Sequence, residues 1–195
     1  MGPPETERRF LSKTSEYLLS LPSDLKVLQE AASDPDLDRG ARELAAGTIV
    51  HTLLPQEGDG VFRFVDDVFL VRATLAAVRT HGGDGAVAFV ERFPGIYLDL
   101  DQDLDLFSSY VGADLWRWLT DQIPDFPRLP YKGKRATQYL VTDEELARLY
   151  EEGLEFETNY NLTAGQIQNR FRRGEQVVEF LARRRSEPSR KIPTL

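Results

Sequence analysis

Apolar residues recur at helical spacing along most of the chain, punctuated by proline, glycine and capping residues. Phe10, Leu11, Tyr17 and Leu18 predict a helix over residues 5–19, and Pro22 separates it from a second, short helix over 23–32 carrying Leu25 and Leu28. Residues 33–36 read as a turn rich in capping side chains. Leu44, Ile49 and Leu53 then mark a helix over 39–54 that Pro55 ends. After a glycine-rich turn at 56–60, residues 61–80 form the most apolar helix of the chain, stopping at His81-Gly82-Gly83. A short helix over 85–93 is broken by Pro94-Gly95.

The second half is patterned less cleanly. Residues 97–107 alternate apolar and acidic side chains, which fits either a half-exposed strand or an acidic loop entering a helix; the loop is the favoured reading. Val111, Leu115, Trp116, Leu119 and Ile123 predict a helix over 108–123, and Pro124, Pro127 and Pro130 an extended connector. Residues 138–141 suit a short strand. Thr142 to Glu145 is a capping box opening a helix to about Glu152, with Gly153 as its stop, and Thr163 to Gln166 opens a long helix to about Arg184. The expected fold is mainly α, a single-domain helical bundle of about seven to eight helices with a short β element near 136–141. Its expected organisation is a helical core over 1–125, followed over 126–195 by the proline-rich connector and a C-terminal helical lobe packed on that core.

Composition narrows the function classes. The chain has 195 residues, 41% hydrophobic and 29% charged, which suits a folded domain, and no cysteine, which excludes disulfides, thiolate metal sites and cysteine nucleophiles. The polar N-terminal stretch does not resemble a secretory signal, and the apolar run around 61–78 is interrupted by Arg63, Asp66, Asp67 and Arg72. A cytoplasmic protein without a membrane span is the expectation.

Charge is unevenly spread. The net charge is −8, yet residues 160–195 hold eight basic and three acidic side chains: Arg170, Arg172, Arg173, Arg183, Arg184, Arg185, Arg190 and Lys191 against Glu175, Glu179 and Glu187. Residues 84–125 hold nine acidic and two basic side chains, an excess that would attract a basic partner or the chain's own tail. Asp99, Asp101, Asp103 and Asp105 do not form an EF-hand, because Leu104 and Tyr110 stand where its glycine and glutamate belong. Alternation with Leu98, Leu100, Leu104 and Leu106 predicts that the leucines anchor while the carboxylates face outward. The candidate partner-binding residues are therefore Asp99, Asp101, Asp103 and Asp105, the arginines from Arg170 to Arg185, and Trp118. Trp118 cannot share a helix face with Trp116. A solvated acidic face and a terminal helix packed internally are the plainer readings of the same residues.

The run Leu54-Pro55, a polar turn, then Phe64-Val65-Asp66-Asp67 followed by Val68, Leu70 and Val71 resembles the family of small uncharacterised bacterial proteins typified by YkvA. The resemblance covers about residues 44–78. It departs from the family pattern at Arg63, which stands in place of a glycine, and at Pro55-Gln56-Glu57-Gly58-Asp59. It implies a helical hairpin at 44–80 and no particular activity.

Catalytic signatures are absent: there is no nucleophile elbow to go with His81-Gly82-Gly83, no dinucleotide fingerprint around Gly58-Asp59-Gly60 and no Walker lysine. His51 reads as a core-edge or helix-surface histidine. Asp66 and Asp67 read first as carboxylates favoured by a helix N-terminus, and second, with Glu57 and Asp59, as the ligands of a metal-dependent enzyme. The leading expectation is a non-enzymatic regulatory or adaptor protein, such as an inhibitor or immunity-type protein, that binds another protein and needs no cofactor. Nucleic-acid binding by the basic C-terminal helix is a further alternative, disfavoured by the overall charge.

Overall fold

The computed structural model describes residues 4–55 and 60–187. Its helices in chain order are α1 (Glu5–Ser33), α2 (Arg39–Leu53), α3 (Val65–His81), α4 (Ala86–Arg92), α5 (Pro94–Tyr97), α6 (Leu100–Val111), α7 (Ala113–Thr120), α8 (Asp143–Asn159), α9 (Ala164–Arg170) and α10 (Gly174–Ser186). A two-stranded antiparallel ribbon, β1 (Pro130–Tyr131) and β2 (Lys134–Arg135), is the only sheet among the described residues. The fold is a mainly α bundle with a small β element, as the periodicity predicts.

Helices α1, α2 and α3 pack on one another and the rest surround them. Most of α3 is buried, which explains why its apolar residues, Val65 and Phe69 to Val71 among them, occupy every side of the helix. Phe10, Phe69 and Phe107 join α1, α3 and α6 through ring contacts at 4.8–6.2 Å. No helix among the described residues is long and apolar enough to cross a membrane.

Several boundaries differ from the expected ones, each for a local reason. Pro22 lies inside α1 and does not divide it. A mid-helix proline lacks the N–H that would bond the carbonyl four residues back, here that of Leu18. The Tyr160 hydroxyl donates to that carbonyl instead, so the interruption is repaired from a distant part of the chain. Residues 97–107 are neither strand nor loop; most of them form the first turns of α6, which anchors through Leu100 and Phe107, while Leu98 is 82% exposed. Gly112, at φ 92°, divides the expected helix over 108–123 into α6 and α7.

The proline segment is a 3₁₀ turn over Ile123–Arg128 rather than an extended connector, and it presses the backbone of Phe126 and Pro127 against Gly47 of α2. The β element precedes its expected place, because residues 136–140 form another 3₁₀ turn. Gly153 does not end α8; it lies within it, where any Cβ would collide with the Gln29 side chain of α1. The expected final helix is two, α9 and α10, separated at 171–173, and the Gly174 amide donates to Glu7 Oε1 at 2.8 Å.

Candidate functional site

The four alternating aspartates do not make one face. On a helix, residues two apart point to opposite sides, so Asp101 and Asp105 are exposed while Asp103 turns into the core. Asp103 accepts a hydrogen bond from Tyr17 and lies 3.5 Å from Lys13 Nζ, and Asp101 is ion-paired with Arg79. Asp99 is exposed just before α6. The expectation that all four carboxylates face outward is thus corrected at Asp103.

The arginines divide in the same way. Arg170, Arg172, Arg173, Arg183 and Arg185 are exposed on or beside α9 and α10. Arg184 points inward, its side chain only 11% exposed, and its Nη2 lies 3.8 Å from Asp66 Oδ1. Trp118 is half-buried against the core, and Trp116 packs on Phe69 at 6.1 Å. Arg190 and Lys191 lie outside the described residues, as do Glu57 and Asp59.

Two polar clusters are buried in the bundle. In the first, Arg72 of α3 grips Asp24 of α1 with three bonds at 2.8–3.1 Å, and Ser20 donates to Asp24 Oδ2 at 3.0 Å. The Arg72 guanidinium also sits 3.8 Å from the centre of the Tyr17 ring, a cation–π contact. Burial raises the Asp24 pKa in spite of Arg72 and Ser20, which lower it.

The second cluster joins the end of α2, the start of α3 and the last turn of α10. His51 Nδ1 lies 3.1 Å from Asp67 Oδ1, and the imidazole stacks on Phe126 with ring centres 4.4 Å apart. One donor atom from each of His51, Asp66 and Asp67 falls within 4.8 Å of the others. Asp67 is fully buried and Asp66 nearly so; Asp66 Oδ1 and Asp67 Oδ2 have no hydrogen-bond partner. Burial pushes the Asp67 carboxyl up to about 7, against the pull of His51. Burial likewise raises Asp66, opposed by His51, Arg184 and the backbone amides of residues 66 and 67. Burial works to lower the His51 pKa, but the hydrogen bond and charge of Asp67 outweigh it and the net shift is upward.

Sequence reasoning singles out Asp66 and Asp67 but not their union with His51 and Arg184. The readable signal is that His51 closes one arm of a hairpin whose other arm begins with the two aspartates. Nothing in the pattern marks Arg184, which is 117 or more residues distant along the chain. No family model, curated protein or solved structure matches the chain.

Proposed function

We propose that the chain is a cytoplasmic, non-enzymatic regulatory or adaptor protein that recognises an acidic protein surface through the exposed arginines of its last two helices. The observation that supports this reading is that Arg170, Arg172, Arg173, Arg183 and Arg185 remain exposed, whereas Asp103 and Arg184 are drawn into internal contacts. Arg184 apart, the described arginines of this region stay at the surface, where they can meet an acidic partner. An inhibitor or immunity-type role is the specific form of this proposal, and a YkvA-like origin of the α2–α3 hairpin is compatible with it.

A protein partner is preferred over nucleic acid because the whole chain carries −8 and would repel a polyphosphate beyond the arginine face. The test is affinity capture from the native host with the wild type and with a variant carrying Arg172→Glu, Arg173→Glu, Arg183→Glu and Arg185→Glu. A partner held by the wild type and lost from the variant is expected, with affinity falling as salt rises. Equal capture by both would remove the arginines from the function. Tight, salt-sensitive binding to a DNA or RNA oligomer would replace the proposal with the nucleic-acid reading.

A further inference from the structure

Helix-terminal carboxylates ordinarily lie at the surface, where water completes their solvation. Asp66 and Asp67 occupy the first turn of α3 but are covered by the bundle, and α3 has no side-chain cap hydrogen bond at its N-cap, Phe64. The helix terminus accounts for Asp66, through the backbone amides that favour its charge, and leaves Asp67 unaccounted for. Two oxygens, Asp66 Oδ1 and Asp67 Oδ2, stay buried without a donor. Buried polar atoms in folded proteins nearly always have a partner, and a bound cation is one way to satisfy a pair of carboxylate oxygens that no donor reaches.

We propose that His51, Asp66 and Asp67 form a binding site for a first-row divalent transition cation such as Mn²⁺, Co²⁺ or Zn²⁺. One imidazole nitrogen and two carboxylates are a donor set suited to this class, whereas Ca²⁺ requires six to eight oxygens and Mg²⁺ seldom takes imidazole. The distances fit with small adjustments. His51 Nδ1 and Asp67 Oδ1, 3.1 Å apart, have the separation of neighbouring ligands on one ion about 2.1 Å from each, the ion taking the place of the proton they share and releasing it to solvent. The widest separation allowed within the trio, 4.8 Å, closes by side-chain rotation of about an ångström. His51, with its side chain 16% exposed, is the member that opens toward solvent. Three protein ligands leave coordination positions open for water or a ligand.

Arg184 supplies the competing charge. Its guanidinium lies 3.8 Å from Asp66 Oδ1, so cation binding and the Arg184–Asp66 contact oppose each other. The site thereby couples metal occupancy to the packing of the last turn of α10, which is flanked by exposed Arg183 and Arg185. This inference stands apart from the proposed recognition and fails or holds without it.

The experiment is titration calorimetry on chelator-treated full-length protein with Mn²⁺, Co²⁺ and Zn²⁺, and with Mg²⁺ and Ca²⁺ as controls. Co²⁺ absorption spectra report the ligand field. We expect one ion per chain, affinity weaker by about tenfold or more in both His51→Gln and Asp67→Asn, and Arg184→Gln binding more tightly than wild type. Circular dichroism melting establishes that each variant is folded. Binding that is absent, or that persists unchanged in folded His51→Gln and Asp67→Asn, overturns the site. Equal binding of Mg²⁺ and Ca²⁺ that ignores His51 overturns the donor set. Should both variants fail to fold, nitrogen coupling in the electron paramagnetic resonance of bound Mn²⁺ decides: its presence supports His51 as ligand and its absence rejects it.

Discussion

Asp24 and Asp67 are both aspartates buried in the central helices, but their surroundings differ in kind. Asp24 has both oxygens occupied by Arg72 and Ser20, so that α1 and α3 are joined by a charged pair whose bonding is complete. Asp67 has one oxygen on His51 and the other on nothing. A buried pair with its hydrogen bonds made is costly to disrupt, because removing one partner strands the other charge. A buried carboxylate left half-solvated already carries that penalty, and a cluster that keeps it points to a use other than stability.

The largest effect should come from breaking the complete cluster. Arg72→Met strands Asp24 and is expected to lose about 3–5 kcal/mol in urea denaturation. Adding Asp24→Leu should recover much of that loss, since no unpaired charge remains. In the incomplete cluster the expected sign is opposite: Asp67→Asn, measured at pH 8 without metal, should stabilise by about 1–2 kcal/mol. A loss as large as that of Arg72→Met would show that the two clusters are equivalent.

The buried acids also make stability depend on pH. Asp67, Asp66, Asp24 and His51 all have folded-state pKa values raised above their unfolded values, so each contributes stability that is present below its unfolded pKa and lost as pH rises through the folded one. Arg184 faces the same site through its contact with Asp66. Glu145 and Glu152, shifted downward, act in the opposite sense but only near and below their ordinary range. Metal-free protein should therefore melt at a higher temperature at pH 5.5 than at pH 8, by a few degrees, about 1 kcal/mol. Asp67→Asn, which removes the carboxyl that burial pushes up to about 7, should flatten that slope. An effect of similar size is expected at the repaired proline: Tyr160→Phe removes the donor to the Leu18 carbonyl and should cost about 1 kcal/mol.

Much of the helical content was legible because apolar spacing reports which face of a segment is buried. The helix over 39–54 and the Thr163 capping box, whose two reciprocal bonds at 2.9 and 3.2 Å are present, depend on neighbours within a few residues. Segments whose outcome depends on a distant partner are not legible in this way. Pro22 reads as a break until Tyr160 is known to satisfy Leu18, and Gly153 reads as a stop until α1 is known to approach it. The alternation over 97–107 has the period of a strand, but Leu100 and Phe107, seven residues apart, anchor it as a helix.

The sequence alone determined the class of the fold, the absence of thiol chemistry and the uneven distribution of charge, because these follow from composition and from periodicity within single elements. Tertiary structure decided which charges remain outside. Asp103 and Arg184 look like their neighbours in sequence and are turned inward by the helices on which they sit, while His51, Asp66 and Asp67 meet only because α2 and α3 pack side by side. Local pattern specifies a side chain's face on its own helix; what that face meets is a property of the packed bundle.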